Sequence, residues 1–93
     1  MKIETKYDVG DKVWYVYDYT IYGKGTTIRA MFKRIIGILI FEGKKEPYYH
    51  IDGFMGEIPE KELLSNKDKR DWAIRNIIAR HKDDIVECFI DDE

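Results

Sequence analysis

Residues 6–19, KYDVGDKVWYVYDY, decide the fold. The turn Asp8-Val9-Gly10-Asp11 delivers a run of β-branched and aromatic residues, a composition that suits a pleated, half-buried strand. From Lys12 the pattern has period two: Val13, Tyr15 and Tyr17 face one way, and Trp14, Val16 and Asp18 the other. Both faces are bulky and apolar. In a small barrel one such face fills the interior while the other is covered by a later element. The stretch therefore predicts a first barrel strand with something packed on its outside.

Working outward, residues 1–7 read as a lead-in anchored by Ile3 and Tyr7. Residues 19–27, YTIYGKGTT, are turn-like, because Gly23 and Gly25 bracket Lys24 and permit the positive backbone angles of a hairpin. This places Tyr19 and Tyr22 on a loop. Residues 28–41 form a second strand region, long enough to bend sharply or to be two strands, with Gly37 as the site of a bulge. A polar turn ends at Pro47. Residues 48–52 then alternate as a short third strand, and 57–59 begin a fourth that Pro59 confines to an edge. Residues 60–64 read as one helical or 3-10 turn carrying Leu63 and Leu64 inward.

Ser65 followed at three residues by Asp68 resembles a capping box, so a helix is expected from about Asn66. At helical spacing Ile74, Ile77, Ile78, His81, Ile85 and Cys88 fall within an arc of about 100°. That stripe predicts one continuous helix to roughly Phe89, packed on Val16, Ile36, Ile38 and Leu63. A competing reading stops the helix near Lys82 and makes residues 85–90 a strand, since they are β-branched and alternate. Asp91, Asp92 and Glu93 would oppose the dipole of a helix C-terminus, so the tail is expected to fray. The result is a single domain with one core: a barrel over 1–64 and a helix over 65–90 packed on it.

The 93 residues are 44% hydrophobic and 14% aromatic, which excludes a disordered chain. Charge divides unevenly. Residues 1–45 carry nine Lys/Arg against five Asp/Glu, and the remainder seven against thirteen, about +4 against −6. Attraction between two halves of one small domain accounts for such a split, and so does an anionic partner for the first half. The single Cys88 can form no internal disulfide, which suits a reducing compartment. With no apolar core in MKIETK and the longest apolar run, residues 35–41, too short to span a bilayer, a cytoplasmic location is expected.

Catalytic candidates are thin. His50 and Asp52 share a strand face and would orient an imidazole, but nothing supplies a nucleophile. His81 and Cys88 stand two helical turns apart, too far for a thiolate–imidazolium pair. Two histidines and one cysteine do not fill a zinc site. Gly23-Lys24-Gly25-Thr26-Thr27 lacks the spacing and the following helix of a phosphate loop. No catalytic residue, metal or cofactor is expected.

Binding is better supported. Lys24, Arg29, Lys33, Arg34, Lys44 and Lys45 lie on the expected hairpins beside Tyr19, Tyr22 and Phe32, side chains that stack on bases or clamp a peptide. Trp72 lies opposite the isoleucine stripe of the expected helix, with Ile90 near it and Val86 some 40° away, so this second apolar face would either fold under onto the barrel or meet a partner protein or a second copy.

Four segments, KYDVGDKVWYVYD, RIIGILI, PYYHI and GEIPEKELLSNKDK, resemble small SH3-like barrel proteins of phages and other mobile elements of Gram-positive bacteria. The resemblance spans residues 6–69. It implies an SH3-like antiparallel barrel followed by a C-terminal amphipathic helix. Residues 19–31 are longer than the usual first hairpin, and the segment after Asn66 carries Trp72 and additional apolar residues. The expected function is a non-catalytic adaptor or inhibitor that recognises a host protein, with Tyr19, Tyr22, Lys24, Arg29, Phe32, Trp72 and Val86 as contact residues. Acting against a host defence nuclease, its acidic second half would compete with nucleic acid. The alternative is a KOW- or Tudor-like nucleic-acid module using the basic aromatic hairpins.

Overall fold

The computed structural model describes residues 3–93; Met1 and Lys2 of the expected lead-in lie outside the described residues. Its elements are β1 (Lys12–Ile21), β2 (Gly25–Leu39), β3 (Tyr48–Ile51), β4 (Ile58–Pro59), a 3-10 turn (Glu60–Glu62), β5 (Leu63–Leu64), α1 (Lys67–His81), a second 3-10 turn (Lys82–Asp84) and β6 (Ile85–Ile90). They form an open six-stranded sheet and one helix. The strands order as β4-β3-β2-β1-β5, and β6 joins on β2. All pairings are antiparallel except β2–β6, which is parallel.

β2 is the spine. Along one flank it pairs with β1 over Gly25 to Arg34. Along the other it pairs first with β6, from Thr26 to Ala30, and then with β3, from Ile35 to Leu39. The register slips between Ile35 and Gly37, placing the expected bulge. Residues 28–39 therefore belong to one strand that changes partner, which begins three residues earlier and ends two residues sooner than expected. The hairpin is tighter than expected: β1 runs through Tyr19 to Ile21, and only Tyr22, Gly23 and Lys24 form the tip.

The two faces of β1 serve two cores, where one was expected. Val13 joins Tyr7, Ile35, Tyr49, Ile51, Ile58 and Leu63, enclosed as β3 and β4 fold over. Trp14 joins Ile28, Ala30, Ile74 and Ile77 beneath α1. The period-two pattern thus lines two interiors, and Tyr7 is an anchor of the first. The helix does not pack on Ile36, Ile38 or Leu63: Ile36 is exposed, and the other two belong to the first core.

α1 starts one residue later than a Ser65 cap would give. Asn66 is the N-cap, and its Oδ1 accepts the N–H of Lys69 at 2.8 Å. The helix ends at His81, not near Phe89. Lys82 takes φ 48°, outside the helical region, and its N–H still bonds the carbonyl of Ile78. Asp83 and Asp84 would sit against the negative end of the dipole, and residues 85–90 gain the backbone partners of β2 by becoming a strand. Ile85 still reaches the second core. Ile78 is left exposed, and Cys88 lies on β6 opposite Ile28. His81 is held by Asp18 of β1, Nε2 to Oδ2 2.9 Å.

Since β5 and β6 both run parallel to β2, β5–α1–β6 is a crossover that carries the helix over β1 and β2. The tail does not fray at its start. Asp91 donates its N–H to the carbonyl of Ala30 at 2.9 Å, and Lys67 pairs with Glu93 at 3.1 Å.

Candidate interaction surface

β5 is only two residues long, so the sheet stops short of the β5-side flank of α1. A groove of about 620 Å³ opens there. Val16, Leu64, Ala73 and Ile77 give it apolar walls, and Trp72, Asn76 and Arg80, four residues apart on α1, line it along the helix. Lys61 and Glu62 close the opposite side. Trp72 is 61% exposed, whereas Trp14 is 1% exposed beneath the helix, packed at a tilt against Phe32 with ring centroids 4.8 Å apart and covered by the Arg70 guanidinium at 4.5 Å. The two tryptophans therefore have different tasks.

Charge around the groove reverses the expectation for the second half of the chain. Five of its seven basic residues, Lys67, Lys69, Arg70, Arg75 and Arg80, lie in α1 against two acids, Asp68 and Asp71. Lys67 is paired with Glu93 and Arg70 with Asp71. The acids concentrate instead around the second 3-10 turn, β6 and the tail. The helix carries a basic surplus, not an acidic one.

A second surface lies on the opposite side of the sheet. Tyr15, Tyr17 and Tyr19 form a ladder, with neighbouring ring centroids 5.5 and 6.3 Å apart, and Phe54 packs edge-on against the first two. Burial, with the charge of Glu62 adding to it, pushes the Tyr15 hydroxyl up from its ordinary range. Arg29, opposite Tyr17, lies under the Phe89 ring at 6.0 Å, and its buried Nε has no hydrogen-bond partner among the described residues.

The seven expected contact residues do not form one site. Tyr19 and Arg29 share the tyrosine face through the β1–β2 register. Tyr22 and Lys24 stand at the hairpin tip, Tyr22 fully exposed. Phe32 is on the other side, packed with the second core. Trp72 lines the groove, and Val86 does not share its helix but lies on β6 beside Gly25. Asn76 and Arg80 were legible as a four-residue repeat from Trp72, and Tyr15 and Tyr17 as the continuation of Tyr19. Phe54 and Phe89 carried no local signal.

The catalytic candidates separate as well. The His50 ring lies over Gly37, while Asp52 stands with Lys12, Phe32, Lys33 and Arg34 and bonds the Arg34 carbonyl through its N–H. Among the described residues no group of three or more His, Cys, Asp or Glu side chains is placed to hold a metal ion, and no helix is long and apolar enough to cross a membrane. Compared with protein-family models, curated proteins and solved structures, the chain matches none.

Proposed function

We propose that this chain is a non-catalytic binding module whose α1–β5 groove receives a short acidic segment of a partner protein, with one large apolar side chain as its anchor. The observation that carries the reading is the exposed Trp72 beside an apolar hollow of about 620 Å³ on a helix with a basic surplus. A buried apolar anchor with charged flanks is how amphipathic segments occupy such grooves. The resemblance of residues 6–69 to phage-borne small barrels makes a host protein the class of partner. For the sheet, an SH3-like half-barrel is the description we favour, supported by β3 and β4 folding over the first core from the bulged end of β2.

The test is a titration of the 15N-labelled chain with a panel of acidic peptides that carry a central Leu, Phe or Trp. The expected result is amide and indole shifts at Val16, Leu64, Trp72, Ala73 and Ile77, lost in Trp72→Ala and weakened in Arg80→Glu. Shifts confined to other surfaces would overturn it. So would single-stranded oligonucleotides binding at the Tyr22–Lys24 hairpin with steep salt dependence, which marks phosphate-driven association.

A further inference from the structure

Among the described residues β4, β5 and β6 are the outermost strands of this sheet, and two of them are blunt. β4 has two residues and ends in Pro59, and β5 has two residues. β6 is different: it has six residues, contains no proline, pairs among the described residues only with β2, and is exposed at every position from Val86 to Ile90. Sheet proteins ordinarily protect such an edge with lysines, prolines or a covering segment. The N–H of Asp91 points to β2, so by strand alternation those of Phe89 and Glu87 do too, while Cys88 and Ile90 direct their amide groups outward.

We propose that β6 pairs antiparallel with β6 of a second copy, centred on Cys88, to form a two-fold dimer with one continuous sheet. Only an outward-facing residue can exchange both hydrogen bonds with its opposite number, which limits the register. Centring the pair on Ile90, the other outward-facing residue, would set Glu87 opposite the partner's Glu93. Centring it on Cys88 places Glu87 opposite the partner's Phe89 and Val86 opposite its Ile90, so that within β6 no like charges face each other. That register also brings each Glu87 toward the ring under which the other copy's Arg29 lies, a guanidinium whose Nε has no hydrogen-bond partner among the described residues. The contact is therefore complementary to itself in hydrogen bonding and in charge, as a two-fold interface must be. It lies at the opposite edge of the β5-β1-β2-β6 half-sheet from the Trp72 groove and leaves that groove open.

In this register the two Cys88 Cα atoms would stand about 5.5 Å apart, within the range a disulfide spans. The experiment is the solution mass by light scattering and sedimentation from micromolar to millimolar concentration, for wild type, Cys88→Ala and Cys88→Lys. Wild type and Cys88→Ala are expected to dimerise. Cys88→Lys, which sets two ammonium groups opposite each other, is expected to weaken the dimer at least roughly tenfold with an unchanged circular dichroism spectrum. Copper-phenanthroline oxidation should trap a disulfide-linked dimer in wild type; it is run at alkaline pH because burial pushes the Cys88 thiol up. A wild type that stays monomeric, or a Cys88→Lys protein that dimerises as well as wild type, would overturn the proposal. Should Cys88→Lys lose its fold, Glu87→Arg decides: it brings a second cation to Arg29, and an undiminished dimer would overturn the register.

Discussion

The Asp91 carboxylate accepts the backbone N–H of Phe32 at 3.0 Å, at the point where β2 passes from one neighbour to another. Ala30 still bonds the Asp91 backbone, and Arg34 already bonds Asp52. Phe32, between them on the same flank, faces the gap between β6 and β3, and a side chain supplies what neither strand does. Replacing Asp91 by Ala should cost about 1–3 kcal/mol, because a part-buried donor loses its partner. Asp92→Ala should stay within about 0.5 kcal/mol. Urea unfolding of the two variants checks the contrast; its failure would make the tail dispensable. The Lys33–Asp91 ion pair, at 3.9 Å and partly exposed, adds little to either value.

The two tryptophans separate stability from binding. Trp14→Ala should destabilise by about 3–5 kcal/mol, since it empties the space between the sheet and α1. Trp72→Ala should leave thermal unfolding within about 0.5 kcal/mol of wild type and abolish capture of an acidic, apolar-anchored peptide. A large loss of stability from Trp72→Ala would assign it to the core instead.

Gly25 controls the docking of β6. It adopts φ 114°, and a Cβ there would stand 2.7 Å from Val86 Cγ1 and 2.8 Å from the Asp84 carbonyl oxygen. Asp84 also accepts the Thr26 hydroxyl at 2.7 Å, so its backbone is not free to yield. Gly25→Ala should destabilise by about 1–3 kcal/mol and raise hydrogen exchange in β6 more than in β3. Gly23→Ala, with open space around it, should cost less. Equal exchange in the two strands would dissociate β6 from this turn.

Tyr49 predicts a loss of stability in alkali. Its side chain is buried and donates to Glu60 Oε2 at 2.6 Å, and burial followed by that hydrogen bond pushes its hydroxyl from 10.0 up to about 12. The folded state therefore holds a proton that the unfolded chain releases above its ordinary range. The stabilisation is complete below about pH 10 and is lost as pH rises toward 12, by at most about 1.4 kcal/mol per unit. Tyr49→Phe should be less stable at neutral pH but show a flatter decline across that window. Chemical denaturation between pH 8 and pH 12 gives both slopes, and parallel slopes would remove Tyr49 from this role.

Much of the sheet was legible because it rests on local chemistry. The period-two run from Lys12, the glycines around Lys24, the bulge at Gly37 and the stop at Pro59 each constrain a few adjacent residues, and each holds in the structure. Residues 85–90 show the boundary of such reading. Ile85 and Cys88 continue the helical stripe of Ile74 and Ile77, yet the same segment alternates as a strand, so local pattern supports both. Only the flank of β2, whose amide groups need partners from Thr26 to Ala30, decided for the strand. The candidate surfaces divide in the same way. Trp72 was marked by its place on the helix, but its hollow exists because β5 is too short to underlie α1. Tyr19 and Arg29 came together through a hairpin register, while Phe89 reached them by a crossover through the whole helix. Amino-acid sequence set the periodicity, the turns and the two-faced first strand, because these depend on neighbours in the chain. Tertiary structure alone decided which side of β2 remained open for the last strand, because unpaired backbone groups are satisfied only by segments distant in sequence.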